Sequence, residues 1–391
     1  MKAVEFKSVD ILFGNQIKPA LKLLDSGANR DQILQETGSV LGAAGVSMDV
    51  KAGEICVLMG LSGSGKSTLL RAINGLNRVT RGQVFVAHDK KRIDVTSCSD
   101  SVLREVRSKT VSMVFQSFAL LPWRSVRDNA GFGLELQGMS DSERNRIVDE
   151  TLEMVGLSQW SHKFAHELSG GMQQRVGLAR ALATNPDILL MDEPFSALDP
   201  LIREKLQNEL LELQRRIKKT IVFVSHDLDE ALKIGNRIAI MEGGRIAQWG
   251  TAEDILLRPA NDYVAEFVKH MNPLNVLRGR SVMTPAAALK REGSQVLLDP
   301  AGKIRLHLDP QDRPVSVTVN GKKASLGASE GGAKEPQFIT APVDLLLKSA
   351  ITLRHTSGHP VVLVDKLGVL AGLCGDEEIY NGILRQSRAR K

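Results

Sequence analysis

The stretch Ile55-Cys56-Val57-Leu58-Met59-Gly60-Leu61-Ser62-Gly63-Ser64-Gly65-Lys66-Ser67-Thr68-Leu69-Leu70 changes character twice. It opens as an apolar run of the kind that fills a strand buried on both faces. It breaks into a loop of alternating glycines and serines, then closes on a helical apolar pattern, Leu69, Leu70, Ile73 and Leu76. Gly60 through Ser67 satisfies G-x-x-x-x-G-K-[ST] in the strand–loop–helix setting of a phosphate-binding loop. Glycines let successive backbone N–H groups converge on one concave site, and a helix N-terminus adds partial positive charge. Lys66 can reach the β- and γ-phosphates, and the Ser67 hydroxyl can ligate Mg²⁺. A chance glycine-rich turn explains neither flank. Gly60, Ser62, Gly63, Ser64, Gly65, Lys66, Ser67 and Thr68 are therefore the candidate contacts of a nucleoside triphosphate.

With 391 residues, the chain can hold two or three domains with sizeable cores. No apolar run approaches the ~20 residues that span a bilayer, and Met1–Glu5 has no signal-peptide character. Cys56, Cys98 and Cys374 show no metal spacing, which fits a reduced compartment, with Cys56 acting as a small hydrophobe. The net charge of +6 admits nucleic acid or an anionic surface, but aromatics at 4% are poor material for stacking bases. No nucleic-acid partner is expected.

Along the chain, residues 2–14 alternate like an edge strand, residues 16–38 read as one or two short helices, and Val40–Val50 returns to strand. Short core strands at Thr110–Phe115, Ile188–Met191 and Ile221–Val224 alternate with helices at Ser97–Val106, Asp141–Val155, Gly171–Ala183, Ile202–Ile217 and Asp229–Ile234. Arg237–Met241 and Arg245–Trp249 form a hairpin. Strands alternating with helices indicate an α/β fold with a largely parallel sheet. Beyond a boundary at about 272–285, Val296–Leu298 and Val315–Val319 are weak strands and Ser325–Pro336 a flexible loop. Residues 342–386 form a small α/β unit.

Two further motifs bear on chemistry. Ile188–Met191 is a buried strand ending in Asp192, whose carboxylate is delivered to the sheet edge where a phosphate-bound Mg²⁺ needs it. Glu193, next in line, can polarise the water that attacks the γ-phosphate. In Leu168-Ser169-Gly170-Gly171-Met172-Gln173-Gln174-Arg175, Ser169 is placed as a helix N-cap, and Gly170 and Gly171 leave N–H groups open to an anion. On residue chemistry alone, that stretch is equally a simple capped helix.

Leu168–Arg175 resembles the signature motif of ABC ATPases, and that family's other motifs follow in order over about residues 1–250. Gln116 matches the Q-loop, Ser196-Ala197-Leu198-Asp199 the D-loop, and Ser225-His226-Asp227 the switch histidine. The resemblance implies an ABC-type P-loop NTPase domain, a mixed or parallel sheet with a helical subdomain at about 117–185. It implies ATP and Mg²⁺, with Glu193, His226, Gln116 and Lys66 catalytic and Ser67, Gln116 and Asp192 around the metal. It also implies a head-to-tail homodimer in which Ser169 and Gly171 complete the partner's site, with Gly170 and Asp199 also among the ATP-binding residues. Phe13 is the candidate for stacking on adenine, or else a core residue.

The insertion at about 15–38 and the wording around Gly60 and Gln116 resemble the glycine betaine/proline/choline importer subfamily. That implies an ATPase peripheral to the cytoplasmic face of a bacterial inner membrane. Its implied partners are a separate permease and, through it, an extracytoplasmic substrate-binding protein; choline is preferred over betaine. The Phe118–Trp123 segment would dock the permease unless Phe118 and Leu120 are core. The competing reading is a soluble ABC ATPase acting on ribosomes or nucleic acid. The expected domains are 1–275 for the ATPase and 276–391 for a degenerate CBS-like region. Val282-Met283-Thr284-Pro285 resembles the opening of a CBS module, and Pro360–Ile379 resembles its closing half. Gly375 and Glu378 stand where such modules hold a ribose with Ser/Thr and Asp, which leaves a nucleotide sensor and a dimer brace as alternatives.

Overall fold

Two units make up the chain in this computed structural model, Met1–Thr251 and Ala252–Lys391, and residues 1–196, 198–299, 301–328 and 337–384 are described. The first unit opens with β1 (Lys2–Phe13), helices α1 (Ile17–Asp25) and α2 (Arg30–Thr37), and β2 (Val40–Lys51). After β3 (Ile55–Met59) and α3 (Lys66–Ile73) come β4 (Arg81–His88) and β5 (Lys91–Asp94). Alternation predicts β1 at a sheet edge. It lies instead inside an antiparallel sheet ordered β2-β1-β4-β5. Val4, Phe6, Val9 and Ile11 are buried as the alternation requires. Alternation reports which face is buried, however, and says nothing about which backbone edge is paired.

A helix α4 (Asp100–Glu105) runs on as a π-helical turn, Val106–Thr110, before β6 (Val111–Val114). Helices α5 (Val126–Leu136), α6 (Asp141–Met154) and α7 (Gly170–Ala183) then pack on one another around Val126, Ala130, Leu134, Leu152 and Val176. Next come β7 (Ile188–Asp192), α8 (Pro200–Ile217), β8 (Thr220–Ser225), α9 (Leu228–Ile234), β9 (Arg237–Glu242) and β10 (Arg245–Gly250). The second sheet has the order β10-β9-β3-β8-β7-β6 and is parallel except for the β9–β10 hairpin. Strands β3, β7 and β8 are buried at every residue, which is why they read as unbroken apolar runs.

Helix α3 buries Leu69, Leu70, Ala72 and Ile73 in one core shared by side chains of both sheets. The start of this helix is thereby fixed at the end of β3. The insertion between β1 and β2 has its own small core, in which Ile33 is fully buried with Leu12, Ala20, Leu24 and Leu41. An Asn29–Gln32 capping box starts α2, and Gly38 ends it at φ 63°.

The second unit carries α10 (Ala252–Leu257), α11 (Asp262–Val268), α12 (Gly279–Val282) and β11 (Thr284–Pro285). Strands β12 (Arg291–Glu292), β13 (Gln295–Leu297), β14 (Ile304–Leu308), β15 (Pro314–Val319) and β16 (Lys322–Ala324) form an antiparallel meander. This meander occupies most of the stretch that the sequence presents as weak strands. After it come β17 (Leu326–Ala328), β18 (Phe338–Pro342), α13 (Leu347–Ser357), β19 (Val361–Val364), β20 (Leu370–Cys374) and α14 (Asp376–Ile383). These strands form a mixed sheet ordered β11-β20-β19-β18-β17. Leu326–Ala328, predicted within a loop, is a strand parallel to β18; residues 329–336 of that predicted loop lie outside the described residues. The three cysteines are free, and burial pushes the Cys374 thiol up to about 12. Among the described residues, no helix is long and apolar enough to cross a membrane.

Candidate functional site

The loop between β3 and α3 holds its shape through positions where only glycine fits. A Cβ on Gly60, at φ 146°, would lie 2.2 Å from the Met241 carbonyl oxygen, and one on Gly65, at φ 99°, would lie 2.0 Å from that of Gly42. Lys66 turns back over this loop, its Nζ donating to the carbonyls of Gly60 (2.9 Å) and Leu61 (3.1 Å). Burial holds its ammonium below the usual lysine range, opposed by Glu193 and Asp192. The Ser64 hydroxyl is buried in the loop without a hydrogen-bond partner. An anion would give the Ser64 hydroxyl the acceptor it lacks and the Lys66 ammonium a charged one in place of neutral carbonyls.

Asp192 ends β7 fully buried. The Ser67 hydroxyl donates to its Oδ1 at 2.6 Å, and Arg71 donates to its Oδ2 at 2.9 Å. A hydroxyl and a carboxylate oxygen held this close are a hard-oxygen donor pair that fits Mg²⁺. Arg71 is absent from the sequence-predicted set, although its i, i+4 spacing from Ser67 places both on one face of α3.

Glu193 adopts a left-handed backbone, φ 46°, a conformation that costs a non-glycine residue about 1 kcal/mol or more. Its Oε2 accepts a hydrogen bond from Gln116 Nε2 at 3.2 Å and faces His226 Nδ1 at 3.1 Å. The three residues follow the C-terminal ends of the adjacent strands β6, β7 and β8, where open α/β sheets place ligands. Gln116, predicted also near the metal, has its amide on Glu193 rather than on the Ser67–Asp192 pair.

A cleft of about 230 Å³ lies over the loop, lined by Phe13, Arg30, Val40, Gly42, Ser62, Gly63, the run from Gly65 to Thr68, and Glu193. Phe13 ends β1 and is 40% exposed, so it is not a core residue. Arg30 donates to the Gly63 carbonyl and has no signal in the sequence.

The remaining predicted residues lie together and do not line this cleft. Ser169 caps α7 by accepting from Met172 N at 3.4 Å, and Asp199 caps α8 by accepting from Ile202 N at 3.0 Å. Gly170 and Gly171 adjoin that second cap: a Cβ on Gly171 would sit 2.9 Å from the Ile202 side chain. Ala197 lies outside the described residues. In the Phe118–Trp123 segment, Leu120 packs on the α5–α7 core, Phe118 is half-buried, and Trp123 is 72% exposed. Arg180 fastens the segment by donating to the Phe118 and Ala119 carbonyls.

The profile of the ABC transporter family matches residues 43–196. The chain is 45% identical over 402 residues to the glycine betaine/proline betaine transport system ATP-binding protein ProV of Salmonella typhimurium, covering 98% of each. It is 41% identical over 378 residues to the glycine betaine transport ATP-binding protein OpuAA of Bacillus subtilis, covering 95% of this chain and 90% of the relative. Among solved structures, a dimeric ATP-binding cassette in a post-hydrolysis state with ADP and Pi is similar at 32% identity and TM-score 0.53, over 63% of this chain and 98% of that one.

Proposed function

Because the chain belongs to the ATP-binding subunits of ABC transporters, we propose that it hydrolyses ATP to drive import of a small quaternary ammonium compound through a separate membrane permease. The observation that carries the hydrolytic part is the Glu193 carboxylate, held by Gln116 and His226 beside the phosphate loop. In this reading Phe13 stacks on adenine, Ser64 and Lys66 turn to the phosphates, and Glu193 takes the proton of the attacking water. Mg²⁺ held by Ser67 and Asp192 would offset the charge of the β- and γ-phosphates. Gln116 leaves Glu193 when nucleotide arrives, which carries the site's state to the Arg180-fastened segment and exposed Trp123, where the permease docks.

Ser169, Gly170, Gly171 and Asp199 serve the site of a second copy, in keeping with their place outside this chain's own cleft. Glycine betaine and its relatives are the favoured cargo class, since the named transport systems of the similar proteins act on them; choline remains the other candidate. Delivery by an extracytoplasmic binding protein and a seat on the cytoplasmic face of the membrane belong to the same proposal.

Residues 276–391 act as a degenerate CBS-like brace. Glu378, at the position such modules use for ribose, is buried, accepting from the Thr284 hydroxyl and, at 2.9 Å, from Gly375 N. Vesicles holding the chain and its permease test the transport reading. ATP turnover should rise with glycine betaine and its loaded binding protein. Co-purification with ribosomes or RNA and no response to the amine would overturn it.

A further inference from the structure

We infer that Arg30, supplied by the insertion between β1 and β2, is a further phosphate-binding residue of the ATP site. This inference rests on the ATP site proposed above. Arg30 is the first residue of α2, half-buried, and its guanidinium lines the cleft over the phosphate loop. A Cβ placed on Gly63 would lie 3.4 Å from Arg30 Nη1, so the guanidinium stands directly over the loop's middle glycine.

The packing of the insertion explains Ile33 but not Arg30. Buried Ile33, the Asn29–Gln32 box and Gly38 fix α2, and none of them uses the guanidinium. A cation in the first helical turn also opposes the helix dipole, which favours negative charge there. The same turn carries Asp31, which leaves Arg30 free to serve something outside the helix. Its bond to the Gly63 carbonyl uses one of five guanidinium donors. A phosphate oxygen in the cleft is a stronger, charge-assisted acceptor than that neutral carbonyl.

The geometry therefore describes an exchange. In the free chain Arg30 rests on Gly63, and with nucleotide bound it donates to the phosphate chain. Lys66 makes the parallel exchange from the carbonyls of Gly60 and Leu61. The insertion would thus couple its own position to occupancy of the site.

The test is Mg-ATP affinity of the full chain, R30Q and R30K, measured by calorimetry from low to high salt, with unfolding temperatures recorded. R30Q should bind about tenfold more weakly at low salt, the loss of one charge-assisted contact. The gap should narrow as salt screens the charge, and R30K should recover part of the affinity. Unchanged affinity in R30Q would overturn the inference. A loss that is equal at every salt concentration and not relieved by lysine would also overturn it, since that pattern marks a purely steric clip. Failure of the unaltered chain to bind Mg-ATP would instead remove the ATP-site reading itself.

Discussion

In the proposed mechanism Lys66 and Glu193 carry the chemistry at the residue scale, and each role has a directional consequence. The Lys66 ammonium is held below its ordinary value of 10.5 by burial and donates to two neutral carbonyls, which a bound phosphate would replace in the proposed site. Nucleotide therefore raises the Lys66 pKa, and binding takes up a proton at pH values between the lowered value and the restored one. ATP affinity should fall as pH rises through that window. Calorimetry in two buffers of different ionisation enthalpy should show proton uptake in the alkaline range, absent from Lys66→Ala. Glu193→Gln preserves the shape of the carboxylate but cannot accept a proton. Phosphate release should fall by a factor of about 10²–10⁴ while ATP still binds. An unchanged rate would assign the proton to another group. The loop, Asp192 and Glu193 were legible in sequence because one strand and one motif bring each of them to the site. Arg30 was not, because a half-buried arginine at a helix start has the same local sequence whether or not a loop lies beneath it.

At the scale of elements, the parallel strands β3, β7 and β8 declare themselves because burial on both faces leaves room only for apolar residues. Alternation could not place β1, since an interior antiparallel strand and an edge strand share one pattern. The meander from β12 to β16 was faint for a related reason: its strands are short and only partly buried, so the apolar signal per strand is weak. Helix α9, which follows the His226 turn, holds the buried Glu230. Its carboxyl is pushed above the ordinary 4.5 by desolvation, against hydrogen bonds from Ser225 and Gln207. A carboxylate with a raised folded-state pKa favours folding at low pH. That contribution is lost as pH rises through the raised value. Glu230→Gln should therefore unfold at a higher temperature than the unaltered chain at pH 7. The difference should shrink toward pH 4.5, as thermal melts at several pH values can check.

For the whole molecule, the placement of Ser169–Gly171 outside the cleft matters most. The first unit holds two capped helix starts, α7 and α8, side by side, and a phosphate loop elsewhere on the same unit. In the proposed reading the site is assembled from both, with two copies each lending its α7 start to the other's phosphate loop. In that proposal ATP joins the copies and its hydrolysis releases them, which would let one chain drive a permease through a cycle. Sequence motifs named both halves of this proposed site, and in the folded chain Ser169–Gly171 do not line the cleft over the phosphate loop.

The direct measurement is sedimentation of Glu193→Gln with and without Mg-ATP, beside the same protein carrying Ser169→Asp. Aspartate caps a helix as well as serine does, so α7 should stay intact, while its charge would face the partner's γ-phosphate. The account predicts that Mg-ATP doubles the mass of Glu193→Gln particles and leaves Glu193→Gln/Ser169→Asp at its nucleotide-free mass, although that variant still binds ATP. Particles of one mass in both proteins, whatever the nucleotide, would contradict a site shared between two copies.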